Sequence, residues 1–207
     1  MYTSLNSVLR IISTGLSVPV IIVLLILMLL TLILIGSLVV ELFTERRHLK
    51  VKLPKLVDAL KANPSDPETV IKKSGLLKRQ KAALIEILHH PELTNEMREA
   101  LALELLEEEK ARFEKIVKVS DMIAKLGPIF GLLGTLIPLG PGIVALGQGD
   151  TITLSQSIMS AFDTTVAGLI SAAVAMLISA VRKSWYGKYM SILEALMVCE
   201  LEVMKDA

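Results

Sequence analysis

The chain has 207 residues, 53% of them hydrophobic and only 4% aromatic, with a formal net charge of +1 and a mean hydropathy of +0.61. That hydropathy is high for a soluble domain, and the near-zero charge lacks the basic excess that nucleic-acid binding requires. The single cysteine, Cys199, excludes an intrachain disulfide and a cysteine-rich zinc site.

Residues 1–15 precede a long apolar run. Residues 16–40, from Leu16 to Val40, contain no charged side chain. At the helical rise such a run reaches about 37 Å, enough to cross a hydrocarbon core of roughly 30 Å with some tilt. A secretory signal would be shorter and would end at a small-residue cleavage site. Here the run ends in Glu41, Glu45, Arg46 and Arg47, which points to a retained span.

Residues 41–125 show helical patterns and helix breakers without strand alternation. Asn63-Pro64-Ser65-Asp66-Pro67 reads as a turn, with Asp66 or Ser65 placed to cap the next helix. His89-His90 before Pro91 reads as an exposed helix end, since adjacent residues do not share a helix face; His48 is the third histidine. From about Thr94 the pattern predicts one long helix that can run into the second span. The Glu107-Glu108-Glu109 run reads as a solvated face rather than a metal site, with Glu108–Arg112 and Glu114–Lys118 spaced for i,i+4 pairs. The segment carries no P-loop, dinucleotide glycine pattern, zincin motif or nucleophile elbow, so no metal, cofactor or covalent enzymatic reaction is expected.

Residues 126–147 and 154–181 form the second and third apolar runs, joined by a turn at 148–153 that includes Gly149-Asp150. Thr153 with Gln156 reads as a capping box opening the third helix. Residues 182–207 continue as a C-terminal helix, where Trp185, Tyr186 and Tyr189 fit an aromatic belt at the membrane edge. Of the 22 Lys and Arg residues, 17 fall in 41–125 and four in 182–207, leaving only Arg10 near the N-terminus. This bias predicts an N-terminus outside and a cytoplasmic helical domain between the first two spans, with the C-terminus also in the cytoplasm.

Polar residues within the spans carry the functional signal. Asp163 at the centre of a span costs at least about 2.5 kcal/mol on insertion scales, so it needs packing partners or a wet cavity. On a helical wheel Ser157, Ser160, Thr164, Gly168, Ser171, Ala175 and Ser179 form one small, partly hydroxylated stripe. Opposite it lie bulky residues including Met159, Phe162, Val166, Leu169 and Leu177. Such a stripe suits close helix packing as well as a hydrated path. Thr135 lies about 15 Å in from Lys125, and Asp163 and Thr165 about 15–18 Å in from Thr153, by the helical rise. In antiparallel spans both sites fall near mid-depth.

The run from Ile123 to Thr135, with its Gly131-Leu132-Leu133-Gly134-Thr135 core, resembles the entry to the second span of the MotA/TolQ/ExbB proton channel family. Ser160-Ala161-Phe162-Asp163-Thr164-Thr165-Val166-Ala167-Gly168-Leu169 is similar to that family's third-span motif, and the three-span topology is closer to the TolQ/ExbB branch. The resemblance implies an inner-membrane subunit, a homo-oligomer with five copies around two copies of an ExbD/TolR/MotB-like single-span partner whose transmembrane aspartate carries the proton. It further implies that Thr135 and Thr165 line the ion path, with Thr164 the rival from the wheel, and that Gly131, Gly134 and Gly168 pack helices. Three departures stand out: Ser160 occupies the family's glutamate position with Asp163 one turn later, Pro138 and Pro141 follow Thr135, and Val174 replaces a common proline.

The sequence thus predicts an all-α integral membrane protein. Its expected role is the pore ring of a proton- or sodium-driven motor, with Thr135, Thr165, Asp163, Thr164 and Ser160 as ion-path candidates. The competing reading is a non-conducting scaffold that oligomerises through small-residue faces.

Overall fold

The computed structural model describes residues 15–45, 53–62, 66–90 and 92–205, and every regular element among them is helical. The elements are α1 (Ser17–Glu45), α2 (Leu53–Ala62), α3 (Pro67–Lys73), α4 (Lys78–Leu88), α5 (Asn95–Gly147) and α6 (Thr151–Lys205). Three of them, α1, α5 and α6, are long and apolar enough to cross a membrane. The chain is therefore an all-α, three-span membrane protein with a helical stretch between its first and second spans. The expectations for Arg10, Arg46, Arg47, His48, Asn63, Ser65 and Pro91 lie outside the described residues.

The chain divides into two compact units, one of residues 1–36 with 118–180, the other of 37–117 with 181–207. In the first unit α1 buries a single seam: Val20, Leu24, Leu27, Thr31 and Leu34 are all at most 9% exposed. Their spacing of four, three, four and three residues keeps one face inward on a 3.6-residue helix. Thr31 fits that apolar seam because its hydroxyl donates to the Leu27 carbonyl at 2.7 Å, leaving no orphaned donor. The outward face carries Leu25, Ile26, Leu29, Leu32 and Ile33, each at least half exposed, as a lipid-facing surface does.

The second unit has a conventional apolar core, with Ile71, Leu84, Ile87, Leu193 and Leu196 essentially sealed from solvent. Each such side chain contributes about 1.5–3 kcal/mol by burial. Asp66 caps α3 by accepting the Thr69 amide at 3.2 Å, and Pro67 sits where its missing amide is harmless. Gln80 fastens α4 to α6: its side-chain amide donates to the Tyr189 carbonyl at 3.0 Å, while its oxygen accepts the Leu77 amide at 3.2 Å.

Three local expectations are corrected. Asp150, not Thr153, caps the third span: its carboxylate accepts the Thr153 amide at 3.0 Å and the Thr153 hydroxyl at 2.5 Å. Those two bonds also hold the Asp150 carboxyl below its usual range. An ionised Asp satisfies two orphan donors at once, which a Thr cap does not. Tyr186 and Tyr189 do not form a membrane-edge belt. They turn inward at 6% and 3% exposure, and the Phe113 ring stacks on Tyr186 with centroids 4.3 Å apart. On the acidic run the pair formed among the described residues is Glu107–Lys110 at 3.2 Å, at i,i+3, in place of the expected Glu108–Arg112 and Glu114–Lys118.

The second unit also contains a buried ion pair. Arg182 is 3% exposed; its Nε donates to Glu41 at 3.1 Å and its Nη2 to the Ser37 hydroxyl at 2.8 Å. Arg182→Ala is expected to destabilise the protein by about 3–5 kcal/mol, because it strands the Glu41 carboxylate without its counter-charge. Thermal unfolding of the purified protein in detergent measures this. An Arg182→Met, Glu41→Met double variant should recover most of the loss; an equal loss in both would locate the effect in packing instead.

Candidate functional site

The second and third spans meet through residues that have almost no side chain. A Cβ added to Gly127 would lie 2.6 Å from the Gly168 carbonyl and 3.0 Å from the Ala172 Cβ. One added to Gly168 would lie 2.9 Å from the Gly131 Cα, and one on Gly134 only 2.6 Å from the Thr164 Cβ. Nearer the turn, Gly142 faces Ser157 in the same way, at 2.9 Å. Real Cβ atoms do not sit this close to backbone, so these glycines set the separation of the two helix axes.

The small stripe of the third span is thus a packing surface within one chain. Ser171, Ala175 and Ser179 are at most 3% exposed along it. The opposite face stays outward, with Met159, Phe162, Val166, Leu169 and Leu177 each at least half exposed. Gly127 belongs to the packing set beside Gly131, Gly134 and Gly168. Its spacing of four from Gly131 is the signal that identifies it.

The candidate ion-path residues divide across this geometry. Thr164 turns into the hairpin contact against Gly134, and its hydroxyl lies 3.0 Å from the Ala161 carbonyl and 3.1 Å from that of Ser160. Thr135 and Thr165 sit beside the contact, both half-buried. A Cβ on Gly131, one turn before Thr135, would lie 3.6 Å from the Thr165 Cα, so the turns bearing these two threonines are neighbours. Thr135 donates to the Leu132 carbonyl at 2.7 Å and Thr165 to the Ala161 carbonyl at 3.1 Å. With each proton spent on its own helix, both oxygens keep lone pairs for an outside donor or cation. Asp163 is exposed on the chain's outer surface beside Phe162, and Ser160 is half-buried.

One polar contact between the spans was not singled out by sequence. Ser179 donates to the Asp121 carboxylate at 2.5 Å, and the preceding Ser120 is fully buried with no partner for its hydroxyl. The register explains the position: Ser120 and Ser179 each lie seven residues from the Gly127–Ala172 contact, toward the same end of the hairpin. The partners lie 58 residues apart, beyond the reach of any local periodicity.

No curated protein matches the chain at a significant level. Residues 68–195, however, match the sequence profile of the MotA/TolQ/ExbB proton channel family. The matched region takes in the glycine-spaced hairpin, its neighbouring mid-span threonines and most of the helical stretch before it. A profile match over more than half the sequence, on a three-span helical fold, makes this chain a member of the MotA/TolQ/ExbB proton channel family.

Proposed function

We propose that the chain is the pore-ring subunit of an ion-driven membrane motor, on the TolQ/ExbB side of its family, conducting protons or sodium ions. Five copies surround two copies of a single-span partner whose membrane-embedded aspartate takes up and releases the ion. The complex lies in the cytoplasmic membrane with the N-terminus outside, in keeping with the concentration of Lys and Arg in residues 41–125 and 182–207. The chain itself catalyses no covalent reaction.

The observation that carries this reading is the adjacency of the Thr135 and Thr165 turns at mid-span. A carboxyl group in a low-dielectric layer alternates between charge states only if each state finds hydrogen-bonding partners. Threonine oxygens accept from the protonated form, and a hydroxyl that turns away from its own helix carbonyl donates to the ionised one. Asp163, outward on the chain, is available to a neighbouring copy or to the partner span. The scaffold reading loses ground because the small-residue faces it needs are used inside each chain, between α5 and α6.

Affinity purification of the full chain from native membranes tests the assembly. Native mass spectrometry is expected to give five chains with two copies of a protein having one span and a membrane aspartate. A homo-oligomer with no such partner under conditions that preserve activity would return the scaffold reading.

A further inference from the structure

Beside the Gly134–Thr164 contact, on the side of the hairpin turn, the first unit has a partly open cavity of about 150 Å³ bordered by α1, α5 and α6. Most of its wall is apolar, but Ser17, Ser160 and Thr164 all border it. Two backbone groups add to that polarity. Pro138 and Pro141 lie inside α5 and have no amide hydrogen. The carbonyls four residues earlier, on Gly134 and Ile137, therefore lose their helical donors. Both of those residues, and both prolines, border this same cavity.

An unsatisfied carbonyl in the hydrocarbon region is disfavoured by several kcal/mol, and membrane helices tolerate proline where waters or neighbouring groups restore the lost bonds. Volume alone does not decide whether water enters: a cavity of this size lined only by Leu, Ile and Phe stays dry. The oxygen groups here tip the balance, since a buried water needs about two to four polar partners and a liquid share of roughly 30 Å³. There is room for several.

We propose that this cavity is a hydrated chamber within each single chain, and that it provides the turn-side half of the ion path. Its ligands are water and, in transit, a small monovalent cation coordinated by oxygen. The Gly134 and Ile137 carbonyls and the Ser160 hydroxyl are the coordinating groups, while the Thr164 hydroxyl, committed to its own helix, only borders the chamber. This rests on the pore-ring reading above. It gives Pro138 and Pro141 a role, exposing carbonyl oxygens to the chamber, and it places Ser160 on the wall as a neutral ligand.

Thiol accessibility tests the chamber without relying on conduction. In membranes carrying the chain with its partner, in a Cys199→Ala background, Ser160→Cys is exposed to a small, membrane-impermeant thiosulfonate from either side. Phe162→Cys, at a position 65% exposed on the outward face, is the comparison. A hydrated thiol ionises and reacts, whereas one in lipid stays protonated, so Ser160→Cys should react at least about tenfold faster. Filling the cavity from α1 by Val20→Phe, or by the less buried Ile21→Phe, should bring the rate down to the Phe162→Cys level. The same filling should abolish ion-driven work. Equal reaction rates at the two positions would show a dry cavity and overturn the proposal. So would a cavity-filling variant that suppresses labelling yet retains full ion-driven work. Failure of the pore-ring reading appears elsewhere, as undiminished ion flux in Thr135→Val and Thr165→Val with Ser160→Cys labelling unchanged.

Discussion

Thr135→Val and Thr165→Val are each expected to eliminate ion flux while leaving the subunit folded and assembled with its partner. Valine keeps the shape of threonine and removes only the hydroxyl. In both cases that hydroxyl donates to a carbonyl of its own helix, at 2.7 Å for Thr135 and 3.1 Å for Thr165, and such carbonyls already accept a backbone amide. No buried group is stranded by the change, so stability should move by less than about 1 kcal/mol. The transported ion is affected differently. A hydrogen bond to an ionised group is worth about 1.5–3 kcal/mol, roughly ten- to 150-fold in the population of the charged state. Flux into vesicles, followed with a pH-sensitive dye and in parallel with a sodium indicator, measures the loss and separates the two ions. Thr164→Val is the necessary comparison, because Thr164 packs on Gly134. If Thr164→Val alone lost flux, the path would pass through Thr164 instead of Thr165. If all three variants conducted normally, hydroxyls in these spans would have no part in transport.

The architecture was largely legible because the bilayer imposes long uniform apolar runs, and length with composition suffices to find them. The face assignment of the third span was legible for a related reason. Small residues at helical spacing mark close approach: Gly168 meets Gly127 and Gly131 of the second span, and Ser171 and Ala175 on the same face are buried. The meaning of that stripe was not legible: a wheel shows which residues share a face, not what covers it. Thr164 and Thr165 illustrate the limit, since one residue of rotation separates a side chain packed within the chain from one beside its neighbour's threonine. Contacts distant in sequence were equally hidden. Arg182 finds Glu41 from 141 residues away, and the Gln80 side chain reaches Tyr189 across 109. Neither pairing has a local periodicity to announce it. Tyr186 and Tyr189 were misplaced because an aromatic just past a span suits a lipid interface and a polar-side core equally well. Phe113, on a different helix, decides between them.

Glu200 carries the second large prediction, and it concerns pH. It lies outside the spans on α6, 3% exposed, with neither carboxylate oxygen hydrogen-bonded. Leu196 and Met197, one turn before it, belong to the apolar core of the second unit. Burial among such groups pushes the Glu200 carboxyl up from its ordinary 4.5 to about 8, since the charged form loses its hydration and gains no partner. The folded protein therefore holds a proton that the unfolded chain releases at neutral pH. Stability from this group is complete below pH 4.5, declines as pH rises from there to about 8, and is level above. The slope is at most about 1.4 kcal/mol per pH unit, and over the full interval the loss is about 5 kcal/mol. Denaturant unfolding of the purified protein at pH 6 and pH 8.5 should show a falling midpoint in the parent. Glu200→Gln should remove most of that fall and raise stability above the parent at pH 8.5, because the amide never has to surrender a charge to the core. A parent whose midpoint is flat across this range, or a Glu200→Gln variant that keeps the parent's slope, would mean that the carboxyl reaches water or a cation in the assembled protein. The physical question is which of two penalties wins at neutral pH: burying a charge or holding a proton above its ordinary pKa. At a raised value near 8 the proton stays, and Glu200 serves the core as a neutral acid.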